Sequence, residues 1–277
     1  MTNQKTLTLC RRGPEVTQQN LIMGILNITP DSFSDGGHYF SPEKALERAY
    51  ALLDQGADFL DIGAESSRPG ASPLSQEEEW ERLSPVLEVL CKEQLGARVS
   101  VDTYKPWIME QAALMGVGAI NDITGSAPDE TLRFLASRGL TYIAMHMHGK
   151  PCSMQESPLD HEEALLAVAD FYKSTMERLL GLGFAPSKVW LDPGIGFGKT
   201  DKANIKLLSQ AVSLADTYSL VIGISRKSFI GRTLKINDPV SRDKPSKMLE
   251  LGLMMQGVKA IRTHHVESLY HLRELLH

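Results

Sequence analysis

Polar residues of three kinds recur at the ends of apolar runs, and each kind suits a different piece of chemistry. The carboxylates Asp102 and Asp192, with the amide of Asn121, supply acceptors and donors suited to a flat heterocycle bearing amino and lactam groups. Such a ring needs an in-plane pattern of hydrogen bonds, and buried polar partners discriminate strongly against a wrong ring. The cations Arg68 and Arg262, with His264, suit a phosphate or diphosphate. Asn27 offers a neutral oxygen to a hard cation such as Mg2+, which prefers phosphate oxygens to a full protein cage. Lys227 brings one more cation, with a Schiff-base nucleophile as its rival reading.

The elements that must position these groups are short runs rich in Ile, Val and Leu. They are LIMGILN (21–27), DFLDIGA (58–64), RVSVDT (98–103), AINDI (119–123), TYIAMHM (141–147), KVWLDPG (188–194), LVIGISR (220–226) and AIRTH (260–264). Near-continuous apolar character predicts parallel strands covered on both sides. Helical stretches lie between them. SPEKALERAYALLDQG has Ser41 as N-cap, Pro42 at the first helical position and Gly56 at its stop. SQEEEWERLSPVLEVLCKEQLG opens on Ser75 and a cluster of acids, which a helix N-terminus favours. HEEALLAVADFYKSTMERLLGLG (161–183) is amphipathic and ends on a glycine.

Strand and helix alternate eight times within 277 residues, which predicts a single (β/α)8 barrel domain over 1–277, with an open doubly wound sheet as the alternative. Residues 1–20 form an N-terminal extension, in which TLTLCRRGPEV (6–16) alternates briefly and reads as a hairpin at the barrel bottom. Nearly every run is apolar at its start and polar at its end: Asn27, then Asp61 and Glu65, Asp102, Asn121 with Asp122, Asp192, Ser225 to Lys227, and Arg262 with His264. In a barrel those ends meet on one face, where the active sites of this fold lie. Period-two alternation puts Asn121 with Ile123, Arg262 with His264, and Gly223 with Ser225 and Lys227. His146 and His148 invite a metal reading, but without a clear third ligand a structural role is favoured. DPGIGFGKT (192–200) misses the phosphate-loop spacing by one residue, so its glycines read as loop geometry and Phe197 as an aromatic wall.

With 42% hydrophobic and 23% charged residues, the composition is globular. A net charge of -5 argues against nucleic acid or an anionic membrane surface as partner, while local cations still admit a small anionic substrate. Three scattered cysteines without a C-x-x-C spacing fit a reducing cytoplasm. The N-terminus lacks a signal-peptide pattern, and no apolar run approaches the roughly 18 residues of a membrane span.

In order along the chain, MGILNITPDSFSDGG, DIGAESSRPGA, SVDTYKP, INDI, MHMHGKP, LDPGIGFGKT and GISRKSFIG resemble the dihydropteroate synthase family over almost its whole length. The resemblance implies a barrel that joins 6-hydroxymethyl-7,8-dihydropterin diphosphate to 4-aminobenzoate. It places the pterin among Asp102, Asn121, Asp192 and Lys227, with Ile123 and Met145 as apolar neighbours and Arg262 stacked on the ring. Asn27, Arg68, Arg262 and His264 would serve the diphosphate, with Asn27 on Mg2+. Phe33, Ser67, Arg68, Pro69, Phe197, Lys227 and Ser228 would surround the aminobenzoate, and Asp35 would order the first loop over the reacting carbon. The implied chemistry is dissociative: Mg2+ helps diphosphate leave, and the amine attacks a pterin-stabilised cation. Residues 28–40 and 65–75 read as two covering loops, with Gly36 and Gly37 permitting motion. The resemblance also implies a homodimer, for which the seventh and eighth helices offer an apolar face.

Departures from the family pattern fall at Ala64, Ser67, Tyr104, Thr263, His265 and 241–252. Two rivals share the pterin pocket: a methyltetrahydrofolate–corrinoid methyltransferase, which needs no diphosphate site, and a non-catalytic paralogue. SSRPG (66–70), SRKS (225–228) and the SFSDGG loop weigh against the first. The presence of Asn27, Arg68, Lys227, Arg262 and His264 weighs against the second.

Overall fold

Each of the eight apolar runs forms a parallel strand: β1 (Leu21–Asn27), β2 (Phe59–Gly63), β3 (Val99–Asp102), β4 (Ala119–Asp122), β5 (Thr141–Met145), β6 (Val189–Asp192), β7 (Val221–Gly223) and β8 (Ala260–Thr263). The computed structural model describes residues 20–29, 41–65, 73–149 and 154–276. The expected N-terminal hairpin and most of the two covering loops lie outside them. Strands pair in the order β6-β5-β4-β3-β2-β1-β8-β7. A parallel bridge between Leu191 and Leu220, with the Leu191 N–H on the Ser219 carbonyl at 2.9 Å, joins the two ends. That contact closes the ring and excludes the open doubly wound sheet.

The helices that surround the ring are α1 (Pro42–Asp54), α2 (Gln76–Lys92), α3 (Pro106–Met115), α4 (Asp129–Ser137) and α5 (His161–Gly181). They continue with α6 (Asp201–Ser209), α7 (Ala211–Ala215), α8 (Ser228–Leu234), α9 (Asp243–Met255) and α10 (Val266–Leu276). Ser41 caps α1 by accepting the Lys44 N–H, and Pro42 occupies its first turn as expected. Ser75 and Glu78 form a reciprocal capping box on α2, and Asp160 with Glu163 does the same on α5. Among the described residues no helix is long and apolar enough to cross a membrane.

Alternation along the strands divides the apolar residues into two compartments. Outward residues such as Leu26, Ile62, Val101, Tyr142, Leu191 and Ile261 pack under the helices as the main core. Inward residues Met23, Ile143, Trp190, Val221 and Ala260, with Leu21 and Phe59, form a plug inside the barrel. Phe59 and Trp190 meet edge to face at 5.8 Å within it. This plug is the floor on which the polar strand ends stand.

One buried acid lies outside the barrel, between β8 and α9. Glu250 is fully buried and accepts the Thr263 hydroxyl at 3.0 Å. Burial pushes its carboxyl up from 4.5 to about 8, against the pull of that hydrogen bond. The folded protein therefore holds this proton more tightly than the unfolded chain. Its stabilising effect is complete below pH 4.5 and is lost as pH rises through about 8. Glu250→Gln is expected to flatten the decline in urea midpoint between pH 6 and 9. An unchanged decline would assign that titration to another group.

Candidate functional site

Above the plug, the inward positions turn polar. Asp61 is fully buried on β2 and gathers three donors: the Ser100 hydroxyl at 2.7 Å, Asn121 Nδ2 at 3.1 Å and Arg262 Nε at 2.5 Å. Arg262 then reaches across to Asp102, whose Oδ2 accepts Nη2 at 2.8 Å. One guanidinium thus ties β8 to β2 and β3. Gly63 leaves room for Asp102, since a Cβ there would lie a tight 3.3 Å from that of Asp102. Burial pushes the Asp102 carboxyl up to about 7 against the pull of Arg262, and the two carboxylates raise Arg262 above its ordinary value.

The neighbouring residues of β4 part company. Asn121 faces inward beside Asp102 in the pairing register. Asp122 faces outward, where it accepts the Tyr142 hydroxyl at 2.5 Å and the N–H of Thr124 at 2.8 Å, organising the loop after β4. Ile123 and Met145 are buried at the rim of the same layer, and Met145 sits beside Asp192 in register. Asp192 is buried, and its Oδ1 accepts the Gly194 N–H at 2.6 Å. Burial raises its carboxyl, while Lys227 is the strongest of the groups that hold it down.

Lys227 opens α8, and its Nζ donates to the Ile195 carbonyl while standing 4.8 Å over the Phe197 ring. Burial brings its ammonium down to about 8, with Asp192 opposing. Ser228, next to it, is exposed at the first position of α8. The turn that aims Lys227 passes through Arg226 at φ +60°, a left-handed conformation that few side chains adopt. Four contacts from the start of α9 hold it. Arg226 forks onto Asp243 at 2.8 and 3.0 Å, its N–H donates to Ser246 at 3.2 Å, and its carbonyl accepts Arg242 at 3.1 Å.

His264 follows β8 on the Arg262 side, with Nδ1 at 3.0 Å from the Ser225 hydroxyl. Burial, with Arg226 and Arg262 beside it, pushes the imidazole down to about 3. It is therefore neutral at neutral pH and offers an N–H donor rather than a positive charge. Asn27 ends β1 in the inward set and is exposed toward the mouth. Phe33, Asp35, Ser67, Arg68 and Pro69 lie outside the described residues. His146 stacks its ring edge to face on Phe171 at 5.4 Å. Among the described residues no group of three or more His, Cys, Asp or Glu could hold a metal ion.

Sequence reasoning leaves Asp61 without a role, although its place between Leu60 and Ile62, on the face of Phe59 and Gly63, marks it as an inward carboxylate. Three of the departures have partners in the fold. Thr263 meets Glu250, His265 lies 3.1 Å from Asp243, and the Tyr104 hydroxyl donates to Glu65 at 2.7 Å. Glu65 also accepts Lys105 Nζ and the Leu74 N–H at 3.1 Å, so it links both sides of the second covering segment.

The family model described as pterin binding enzyme matches residues 23–264. The dihydropteroate synthase of Neisseria meningitidis serogroup C is 42% identical over 252 residues, 89% of this chain and 88% of its own. The solved dihydropteroate synthase of Yersinia pestis, in a sulfonamide drug complex, superposes with a TM-score of 0.83 at 37% identity, covering 93% of each chain. That of Xanthomonas albilineans with 4-aminobenzoic acid gives 0.82 at 33% identity, covering 93% of this chain and 92% of its own.

Proposed function

The chain belongs to the dihydropteroate synthase family, and from that premise we propose how its residues divide the reaction of that family. The reaction joins 6-hydroxymethyl-7,8-dihydropterin diphosphate to 4-aminobenzoate. A C–N bond forms at the pterin methylene as its C–O bond to diphosphate breaks, so the enzyme is a transferase. The observation that carries the assignment is the Asp61–Arg262–Asp102 bridge, which roofs the apolar plug beside Asn121, Asp192 and Lys227.

The pterin lies on that roof. Asp102, Asn121, Asp192 and Lys227 read its edge, Ile123 and Met145 line its apolar border, and Arg262 stacks on its face. Asp61 fixes the Asn121 amide by taking Nδ2, which settles the direction in which the amide presents its oxygen. Arg262 reaches from the ring toward the diphosphate, which Asn27, Arg68 and the neutral His264 also bind. Phe33, Ser67, Arg68, Pro69, Phe197, Lys227 and Ser228 receive the aminobenzoate, a reading supported by the relative solved with 4-aminobenzoic acid. Asp35 orders the first loop over the reacting carbon. Departure of diphosphate ahead of amine attack suits a site with fixed charges around a planar ring and a dry floor.

Asn27 fits Mg2+, because one exposed amide oxygen at a phosphate subsite is what a cation held mostly by substrate oxygens and water requires. When bound, the ion neutralises charge on the departing diphosphate. The protein is read as a cytoplasmic homodimer. Supporting that, Cys91 is a free thiol, and α6 and α9 expose Ile205, Met248 and Leu249 around an apolar groove. This face lies on the helices after β6 and β7, and α10 exposes Leu275 and Leu276 as well.

Diphosphate release from the purified protein tests the assignment, measured with and without 4-aminobenzoate alongside dihydropteroate formation. Product in step with diphosphate is expected, and EDTA is expected to suppress both while pterin binding persists. Diphosphate release without joining would place the fault in the aminobenzoate subsite. No release from a pterin-bound protein would overturn the synthase assignment.

A further inference from the structure

We propose that Lys199 is a positioning residue for the pterin end of the site, clamping the loops after β5 and β6 against each other behind Asp192. The inference rests on the reading above, in which Asp192 meets the pterin. Lys199 is the last residue but one of the DPGIGFGKT segment, is 2% exposed, and lies behind the site rather than in it. All three ammonium protons are engaged: Nζ donates to the carbonyls of His146 at 3.2 Å, Gly194 at 3.0 Å and Phe197 at 3.0 Å. These acceptors are carbonyls rather than carboxylates. Burying a cation on such partners is costly, so a neutral side chain would serve the core alone better.

What the cation holds explains its presence. A Cβ on Gly194 would lie 1.9 Å from the His146 carbonyl oxygen, and one on Gly198 would lie 2.3 Å from that of His148. Only glycine allows the two loops to press backbone against backbone. That closeness brings three carbonyl dipoles to one point, where they repel unless a positive charge sits among them. Two of the held carbonyls lead to the site. Gly194 also donates its N–H to Asp192 at 2.6 Å, Phe197 carries the ring under Lys227, and between them lies Ile195, whose carbonyl takes Lys227. Asn204 secures the same turn from α6 by accepting the Gly196 N–H at 2.7 Å.

Charge adds to geometry. Asp192 is faced by Lys227 after β7, Lys199 after β6, Arg262 on β8 and Tyr172 on α5. The three cations hold its carboxyl down against burial. Lys199 is itself lowered by burial to about 7, with Asp192 opposing and Lys227 assisting, and the neighbouring His146 is neutral at that pH. Below pH 7 the ammonium is therefore in place.

The test is the dissociation constant of 6-hydroxymethyl-7,8-dihydropterin, which lacks a leaving group, from pH 5 to 8. It compares the native protein with Lys199→Met, Lys199→Gln and Asp192→Asn, each checked by a melting curve. Both Lys199 variants are expected to bind about tenfold more weakly at pH 6, where the native ammonium is in place, with the acid limb moved up by about one pH unit. Glutamine keeps N–H donors without the charge, so a shifted limb in Lys199→Gln separates the electrostatic role from simple support. Native affinity and a native limb in folded Lys199→Gln would overturn the inference. Loss of folding in both variants would also overturn it, reducing Lys199 to a cation that holds the fold. If Asp192→Asn binds normally, the pterin reading itself fails. If it binds weakly while both Lys199 variants behave as native, only the inference fails.

Discussion

Replacing Arg262 by methionine is expected to cost about 3–5 kcal/mol of stability and to stop turnover in the same stroke. The guanidinium spans a fully buried carboxylate, Asp61, at 2.5 Å and a second, Asp102, at 2.8 Å. Methionine fills much of the space but leaves both acids facing each other in one layer. Burial already raises Asp102 while Arg262 holds it down, so its loss pushes that carboxyl further up and toward protonation. The pterin would then lose an ionised acceptor as well as its stacking partner. Urea unfolding at pH 7 measures the stability term. Asp61→Asn in the Arg262→Met background removes the orphaned charge and should recover part of the loss, and the double-mutant cycle gives the coupling. A loss below about 1 kcal/mol would mean that the pair behaves like a solvent-exposed one.

The ladder itself was legible because local periodicity decides it. Eight apolar runs, helix caps at Ser41 and Ser75, and polar strand ends all follow from short-range pattern, and all eight strands formed. Within the site, alternation separates inward Asn121 from outward Asp122 once the inner face is known. The contacts that make the site work were not legible in the same way. Arg262 meets partners 201 and 160 residues away, a pairing set by barrel closure rather than by any window of sequence. Asp61 was visible as a polar strand residue, but its role as hub depends on Ser100, Asn121 and Arg262 converging on it. Lys199 looked like part of a glycine loop because its partners are carbonyls, and every residue has one. His264 was recognisable as a polar residue at the end of β8, whereas its neutrality comes from burial beside Arg226 and Arg262. Departures such as Thr263 and His265 look like losses in isolation, until Glu250 and Asp243 on α9 supply their partners.

Lys227→Met is expected to lower kcat/KM by about 10²–10³-fold and to raise the KM for 4-aminobenzoate. On the proposed reading the ammonium serves both substrates: it faces Asp192 and Asp102 on one side and lies 4.8 Å over Phe197 on the other. Burial lowers it to about 8, so it is charged below that pH and loses its proton above it. If the charge is required, the native rate falls as pH rises through about 8, and this alkaline limb disappears in Lys227→Met, where nothing at that position titrates. Lys227→Arg keeps the charge without a titration near 8, so it should also lack the limb while recovering part of the rate. Retention of the limb in both variants would move the titration to another group. A lowered lysine is also what a Schiff-base nucleophile requires, and borohydride separates the two roles. With both substrates present, no mass increase at Lys227 is expected, since the bonds made and broken lie between pterin, diphosphate and amine. A trapped adduct would replace charge stabilisation by covalent catalysis. The same loss of rate would then report a missing nucleophile rather than a missing charge.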